Sequence, residues 1–397
     1  MRRLTKMLLA FFTASAFLLV GGSAFGMGVV PPSEDGISFD VSGFITVAPG
    51  FYTLDSPDSA QSGDAPASLE LTLESRIHFS FGTDSLKLIG SQWTRKDPNI
   101  FDVNGAAGGE GELKMVYLDW NVTDTTHIYM GRLGNQGGTW NQRTCIWETY
   151  MGWTPVLPAG CYLMHWENND IFDITYNLNS DLQIGLYASD GGLVSSLGAG
   201  QARDVRPPGG NLGGNACSGA AGGGGCGVST TLGPTFMVSF GRSRVSGSFQ
   251  IEQQTREDTT IADSEGFDDS EDLSHTGLVV IYRNDYGDDG GVFGVQYTLL
   301  NVDGGNAGVD TTVTDIATEV TVELGDSQVA FLNFNLYSAD FDGDVADYTY
   351  IDFGWIDNGF GPGQRIGIAY RQLDRAEIDS ADDSLASVIE FSVWQNF

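Results

Sequence analysis

Read with a period of two, this chain sorts apolar from polar residues along most of its length. Leu69, Leu71, Leu73, Ile77, Phe79 and Phe81 fall on one side of an extended segment, and Glu70, Glu74, Arg76 and His78 fall on the other. Val245, Phe249 and Ile251 oppose Ser246, Ser248, Gln250 and Glu252. Ala330, Leu332, Phe334 and Leu336 oppose Asn333, Asn335 and Tyr337, and Ile366, Ile368 and Tyr370 oppose Arg365 and Arg371. Successive side chains of a strand point to opposite faces, so this pattern specifies strands with two unlike faces. No segment of helical period is present to cover the apolar faces. A closed barrel in lipid meets the requirement: apolar faces meet hydrocarbon, polar faces line the interior, and closure leaves no backbone edge unpaired.

The chain also stops on such a strand. Leu385, Ile389, Phe391, Val393 and Phe397 share one side, and Glu390, Ser392, Trp394 and Asn396 the other. This terminus resembles the C-terminal sorting signal of bacterial outer-membrane proteins, in which a final Phe is read by the barrel assembly machinery. The resemblance assigns that role to Phe397 and implies that machinery as a partner. A second aromatic is usual two residues earlier in such signals, where this chain has Gln395.

At the other end, Arg2, Arg3 and Lys6 precede an apolar run from Met7 to Val20, and small residues follow at Gly22-Ser23-Ala24 and Ala24-Phe25-Gly26. This is the layout of a secretory signal, residues 1–26, with cleavage after Ala24 or Gly26. The run is short for a hydrocarbon core of about 30 Å, and no later apolar run is longer. Cleavage removes three basic residues and no acid from a formal charge of −33, giving −36. A chain so acidic is excluded as a nucleic-acid binder, which needs a basic surface. The 54 glycines and frequent Asn, Asp, Ser and Thr suit turns and strands. The four cysteines, Cys145, Cys161, Cys217 and Cys226, form two locally spaced pairs that would close as disulfides in an oxidising periplasm. Four cysteines nevertheless allow three connectivities.

Sixteen segments carry a strand signature: 37–53, 68–82, 85–95, 112–122, 126–135, 170–178, 181–190, 232–241, 244–256, 273–284, 291–301, 312–324, 327–339, 347–358, 364–374 and 384–397. The fold expected is all-β, a sixteen-stranded antiparallel transmembrane barrel over residues 27–397. Tight turns at 82–84, 179–180, 242–243 and 325–326 alternate with longer stretches near 54–67, 96–111, 136–169, 191–231, 257–272, 302–311, 340–346 and 375–383. The short turns are expected in the periplasm and the long loops outside the cell. A barrel of this size leaves room for water, so the inward polar faces are expected to remain solvated.

One stretch goes beyond architecture. Lys114-Met115-Val116-Tyr117-Leu118-Asp119-Trp120-Asn121-Val122 leads through a short turn into His127-Ile128-Tyr129-Met130-Gly131-Arg132. This resembles the fourth and fifth strands of general Gram-negative porins, and Asn168 to Tyr176 resembles their sixth. The resemblance covers about residues 110–190 and the last strand. It implies a bacterial outer-membrane homotrimer, seated in lipid and lipopolysaccharide, that passes small hydrophilic solutes and ions. It also implies a third loop, here 136–169, that folds inward to narrow the pore, although the Pro-Glu-Phe-Gly-Gly type motif of many members is missing. In that family basic wall residues face acids on this loop. The matching set is Arg76, Lys87, Arg95, Lys114 and Arg132 on the wall, with Glu148 and Arg143 on the loop. Lys114 matches one of the family's arginines, and alternation puts it inward with Glu112. Opposed charges across a narrow opening create a field that sorts solutes.

Trp140, Trp147, Trp153 and Trp166 crowd the same loop and suit either solute stacking, as in a sugar-specific channel, or packing onto the wall. A Cys145–Cys161 bridge would close a loop of about 15 residues and stabilise it by up to about 3 kcal/mol. Loop 257–272 holds eight acids and no base. Asp340, Asp342 and Asp344 begin like a calcium loop but lack its Gly and distal Glu, and Ca2+ is the one cofactor the sequence suggests. A surface-attachment role for the acidic loops is a further alternative. No nucleophile–base constellation is legible among four histidines, and no enzymatic activity is expected. The net charge leads us to expect a cation preference.

Overall fold

The structure is a computed structural model that describes residues 36–55, 65–96, 112–132, 170–189, 226–256, 273–286, 291–303, 311–341, 344–361, 363–376 and 384–396. The signal sequence, the third loop and Phe397 lie outside these residues.

Sixteen strands form one closed antiparallel barrel in which every strand pairs with its sequence neighbours. They are β1 (Ser38–Asp55), β2 (Ala65–Gly82), β3 (Leu86–Lys96), β4 (Glu112–Asn121), β5 (Thr126–Arg132), β6 (Asp170–Asn177), β7 (Leu182–Ser189) and β8 (Cys226–Phe240). The second half comprises β9 (Ser243–Arg256), β10 (Leu273–Tyr286), β11 (Gly291–Asp303), β12 (Thr311–Glu323), β13 (Gln328–Phe341), β14 (Asp344–Gly361), β15 (Gln364–Ala376) and β16 (Ser384–Asn396). Closure falls between β1 and β16, in a register running from Phe44↔Asn396 to Asp55↔Leu385. No open edge remains, as hydrocarbon requires.

Short turns gather at one end of the barrel. At the β6–β7 turn, Oδ1 of Asn179 accepts from the backbone N–H groups of Asp181 (2.8 Å) and Leu182 (2.9 Å), so the side chain does what a backbone turn would do. Gly241 opens the two-residue β8–β9 turn at φ 64°, a conformation that costs a side-chain-bearing residue energy.

The strands agree closely with the sequence reading, and two differences are informative. β8 begins at Cys226 rather than 232, because the run Cys226-Gly227-Val228-Ser229-Thr230-Thr231 has no alternation and becomes a strand through pairing with β9 (Ser229↔Gln254, Thr231↔Glu252). The expected seventh loop shrinks to residues 342–343, since Asp340↔Val345 and Phe341↔Asp344 extend the β13–β14 ladder.

The outward face is apolar. Phe81, Leu186, Leu232, Phe240, Ile251, Leu336, Phe353 and Ile389 are all exposed on the barrel exterior. In water such a belt would be a very large uncovered apolar surface, whereas hydrocarbon accepts it. The inward face departs from expectation. Gln296, Thr298, Asp315, Glu319, Thr321 and Glu390 are fully buried, and so are the apolar Val279, Ile281, Val313 and Leu373 beside them. The inner wall of β10–β16 is therefore a packed mixed layer rather than a solvated polar lining, and its charges need partners.

The inner wall as candidate functional site

On the inner wall, four side chains form a continuous stack across the seam of the barrel. Arg76 on β2 stands opposite Phe44 on β1, and its Cζ lies 5.4 Å from the Phe44 ring centroid. Phe44 stacks on Trp394 of β16 at 4.5 Å, with an interplanar angle of 29°. Arg365 on β15 is the register partner of Trp394 and places its Cζ 4.3 Å from that ring. Each guanidinium over an aromatic face gains about 0.5–2 kcal/mol, and each contact joins two different strands. Trp394 is buried, so its ring acts as wall rather than as an exposed solute platform.

Around the wall, one register row joins Lys87, Asp119, Tyr129, Asp173 and Tyr187 on five successive strands, β3 to β7. Asp119 hydrogen-bonds His127, and the His127 ring lies 4.3 Å from that of Tyr129. The side chains of Asp119 and His127, near the short-turn end, each keep 24% of their surface exposed, whereas Tyr129, Asp173 and Tyr187 of the same row are buried.

The third feature is a charge network on β14–β16. Nη1 of Arg371 donates to Oε1 of Glu390 at 3.0 Å, and its Nε lies 3.5 Å from Oδ1 of Asp352. All three side chains are almost completely withdrawn from solvent. In register, Glu319, Asn333, Asp352 and Arg371 form one row across β12, β13, β14 and β15. Such a row holds its charges at strand spacing, about 4.8 Å.

The residues singled out from sequence distribute as follows. Arg76 and Lys87 are on the inner face, both partly exposed. Arg95 shares the inward parity of Lys87 and stands opposite Glu74, its side chain outside the description. Lys114 sits at a β-bulge: Ser91 pairs with Met115 and Gln92 with Leu113, leaving Lys114 between them. The bulge resets the alternation, so Tyr117 and Asp119 rather than Leu118 and Trp120 face inward on the remainder of β4. Arg132 shares parity with the outward Met130 and pairs with Asp170. Gly131, immediately before Arg132, has φ 127°, and a side chain there would meet the Val116 carbonyl at 2.6 Å. Arg143, Glu148, Trp140, Trp147, Trp153, Trp166, Cys145, Cys161 and Cys217 lie outside the described residues, as does the side chain of Cys226. Asp340 and Asp344 are in strands, Asp342 lies outside, and among the described residues no three His, Cys, Asp or Glu side chains group to hold a metal ion. Arg371, Glu390, Asp352, Arg365 and Phe44 were not anticipated as a set. Their inward parity was legible, but the register that brings them together was not.

The barrel, its outward apolar belt and its charged inner wall define the fold of the outer-membrane porins. No protein-family profile matches the chain, and no curated protein matches it. Among solved structures it is similar to OmpF of Salmonella typhi, with 13% identity and a TM-score of 0.57 over 92% of this chain and 100% of that one. An anion-selective porin from Comamonas acidovorans shows 10% identity and a TM-score of 0.56 over 91% and 100%. OmpT, an outer-membrane protein of Vibrio cholerae, in a form lacking loop L8, shows 13% identity and 0.57 over 91% and 100%. At such identity the likeness is one of fold.

Proposed function

We propose that this protein is a channel of the bacterial outer membrane, with short turns in the periplasm, that lets small hydrophilic solutes and ions diffuse passively. The observation that supports it is the closed sixteen-stranded wall with an apolar exterior and charged residues within. A closed barrel with that exterior spans lipid, and its interior is the one route through it. No step of the reading needs a chemical reaction. Homotrimeric assembly, an inward third loop and the disulfides belong to the same proposal, on the strength of the sequence.

Inward residues are buried all round the barrel, from Ala48 on β1 through Asp173 on β6 and Tyr187 on β7 to Glu390 on β16, and this favours a substrate-restricted channel over a wide general pore, since a packed inner face narrows the open section. The formal charge, −33 for the whole chain and −36 once the three basic residues of the signal are removed, favours cations. Proteoliposomes carrying the protein should swell in isosmotic small sugars with a sharp size limit, and a KCl gradient should give a reversal potential of cation-selective sign. Anion-selective sign overturns the preference, and absence of swelling in every solute overturns the channel.

A further inference from the structure

A cavity of about 430 Å³ opens at the short-turn mouth of the barrel, between the β4–β5 turn, the β6–β7 turn and the end of β8. Small-molecule sites have this size, about 300–1,000 Å³. Asn177, Gln183, Met237 and Ser239 line it from β6, β7 and β8, and all four are half-buried. They share the parity of the buried inward residues Thr175, Tyr187 and Thr235, so this side of the cavity is the inner wall and the lumen opens into it.

Both turns are fixed in place. Oγ1 of Thr123 accepts from the backbone N–H groups of Thr125 (3.2 Å) and Thr126 (3.0 Å). The Asn177 N–H donates to the Thr125 carbonyl at 2.8 Å, and the Ser239 N–H to the Asp181 carbonyl at 2.7 Å. Such walls need no ordering when a ligand arrives, and binding loses least where that cost is absent.

The polar groups of the cavity are only partly spent within the protein. Oδ1 of Asn177 accepts from Nε2 of Gln183 at 2.8 Å, and Oδ1 of Asn179 accepts from the backbone of its own turn. Among the described residues nothing accepts from Nδ2 of either amide. Oδ1 of Asp181 takes the Ser180 hydroxyl at 3.0 Å. Among the described residues the Asp124 carboxylate and the Ser239 hydroxyl make no hydrogen bond.

These groups select a ligand chemistry. A carboxylate accepts only, and an amide N–H donates only. An amine would serve the carboxylates and leave the amides unused. An anion would meet Asp124 and Asp181 with no Lys or Arg among the lining residues. Among the described residues no three His, Cys, Asp or Glu side chains group to hold a metal ion. A hydroxyl both donates and accepts, so a solute carrying several satisfies both kinds of group at once. Met237 offers an adaptable thioether side chain to the C–H face of such a solute.

Resting on the channel reading above, we propose that this cavity binds a neutral polyhydroxylated solute of monosaccharide size as it passes between lumen and periplasm. Its hydroxyls donate to Asp124 and Asp181, its oxygens accept from Nδ2 of Asn177 and Asn179, and its ring lies against Met237.

The test uses the full purified protein in a planar bilayer in KCl. Glucose is titrated, and tetraethylene glycol, of similar size but poor in hydroxyls, controls for volume and viscosity. Each current is taken relative to the same variant's current without solute. Glucose is expected to reduce it in a saturable manner, and tetraethylene glycol only in proportion to bath conductivity. Asp124→Ala, at an exposed turn position, should raise the half-blocking concentration at least about tenfold, the effect of losing one hydrogen bond to a charged group. Asn177→Leu removes a neutral donor and should raise it about fivefold. Asp84→Ala removes an exposed carboxylate from the β2–β3 turn of the same mouth, outside the cavity, and should leave it within twofold. Equal block by the two solutes, no saturable block by glucose, or unchanged block in Asp124→Ala and Asn177→Leu overturns the site while leaving the channel intact. An equal shift for Asp84→Ala and Asp124→Ala also overturns it, since the charge of the rim would then suffice. Absence of any KCl conductance overturns the channel and the site with it.

Discussion

Replacing Arg371 by Met removes the one guanidinium that lies between two buried carboxylates. The pair distances are 3.0 Å to Glu390 and 3.5 Å to Asp352, and the side-chain exposures are 1% for Arg371, 0% for Glu390 and 4% for Asp352. An exposed pair at such distances would be worth about 0–1 kcal/mol. Here the partners cannot recover water, and breaking one buried pair costs about 3–5 kcal/mol. Two carboxylates are stranded, so we expect Arg371→Met to fall in that range, a loss of roughly two to four orders of magnitude in the folding equilibrium. Adding Glu390→Gln removes one stranded charge and should restore at least half of the loss. The internal control is the Arg283–Asp285 pair, at 2.8 Å but with Asp285 53% exposed; Asp285→Asn should change stability by less than about 1 kcal/mol. Urea unfolding of the protein in lipid vesicles, followed by tryptophan fluorescence, measures all three. If Arg371→Met and Asp285→Asn shift the midpoint equally, the buried network carries none of the energy assigned to it.

Three further outcomes follow from the geometry. Leu336→Arg puts a charge in the middle of the lipid-facing belt and should cost about 2–4 kcal/mol in the same unfolding assay, whereas a small effect would mean that this face does not meet hydrocarbon. Gly131→Val forces a side chain into φ 127° and against the Val116 carbonyl, so refolding yield should fall sharply; a wild-type yield would contradict the close β4–β5 approach. Trp394→Ala removes the centre of the stack across the seam and should cost about 3–5 kcal/mol, seen as a lower temperature for conversion of the compact to the unfolded band on a detergent gel.

Why the barrel was legible in the sequence, and the site only partly, follows from what period-two alternation encodes. It assigns each side chain to a face, so Arg365, Arg371, Glu390 and Trp394 could each be placed inward from sequence. It does not assign register, and Arg371 meets Glu390 only because β15 and β16 pair with Ala369 opposite Glu390. Nor does it foresee a bulge: one extra residue at Lys114 inverts the phase of the rest of β4. The solvated interior was the larger misreading. Alternation distinguishes polar from apolar faces, but β10 carries Val279, Val280 and Ile281 in succession, a run that reads as a strand buried on both sides. That run was a legible sign of a packed inner wall. The start of β8, Cys226 to Thr231, had no signal of its own, since its strand character comes from β9.

The most direct test of the account is the current through a planar bilayer after addition of the purified protein. A closed barrel with a lumen predicts discrete conductance steps that stay open at both polarities and scale with KCl concentration. Protein shown to be inserted, by protease protection of its membrane part, yet passing no current at any voltage would contradict the channel and leave only a sealed barrel.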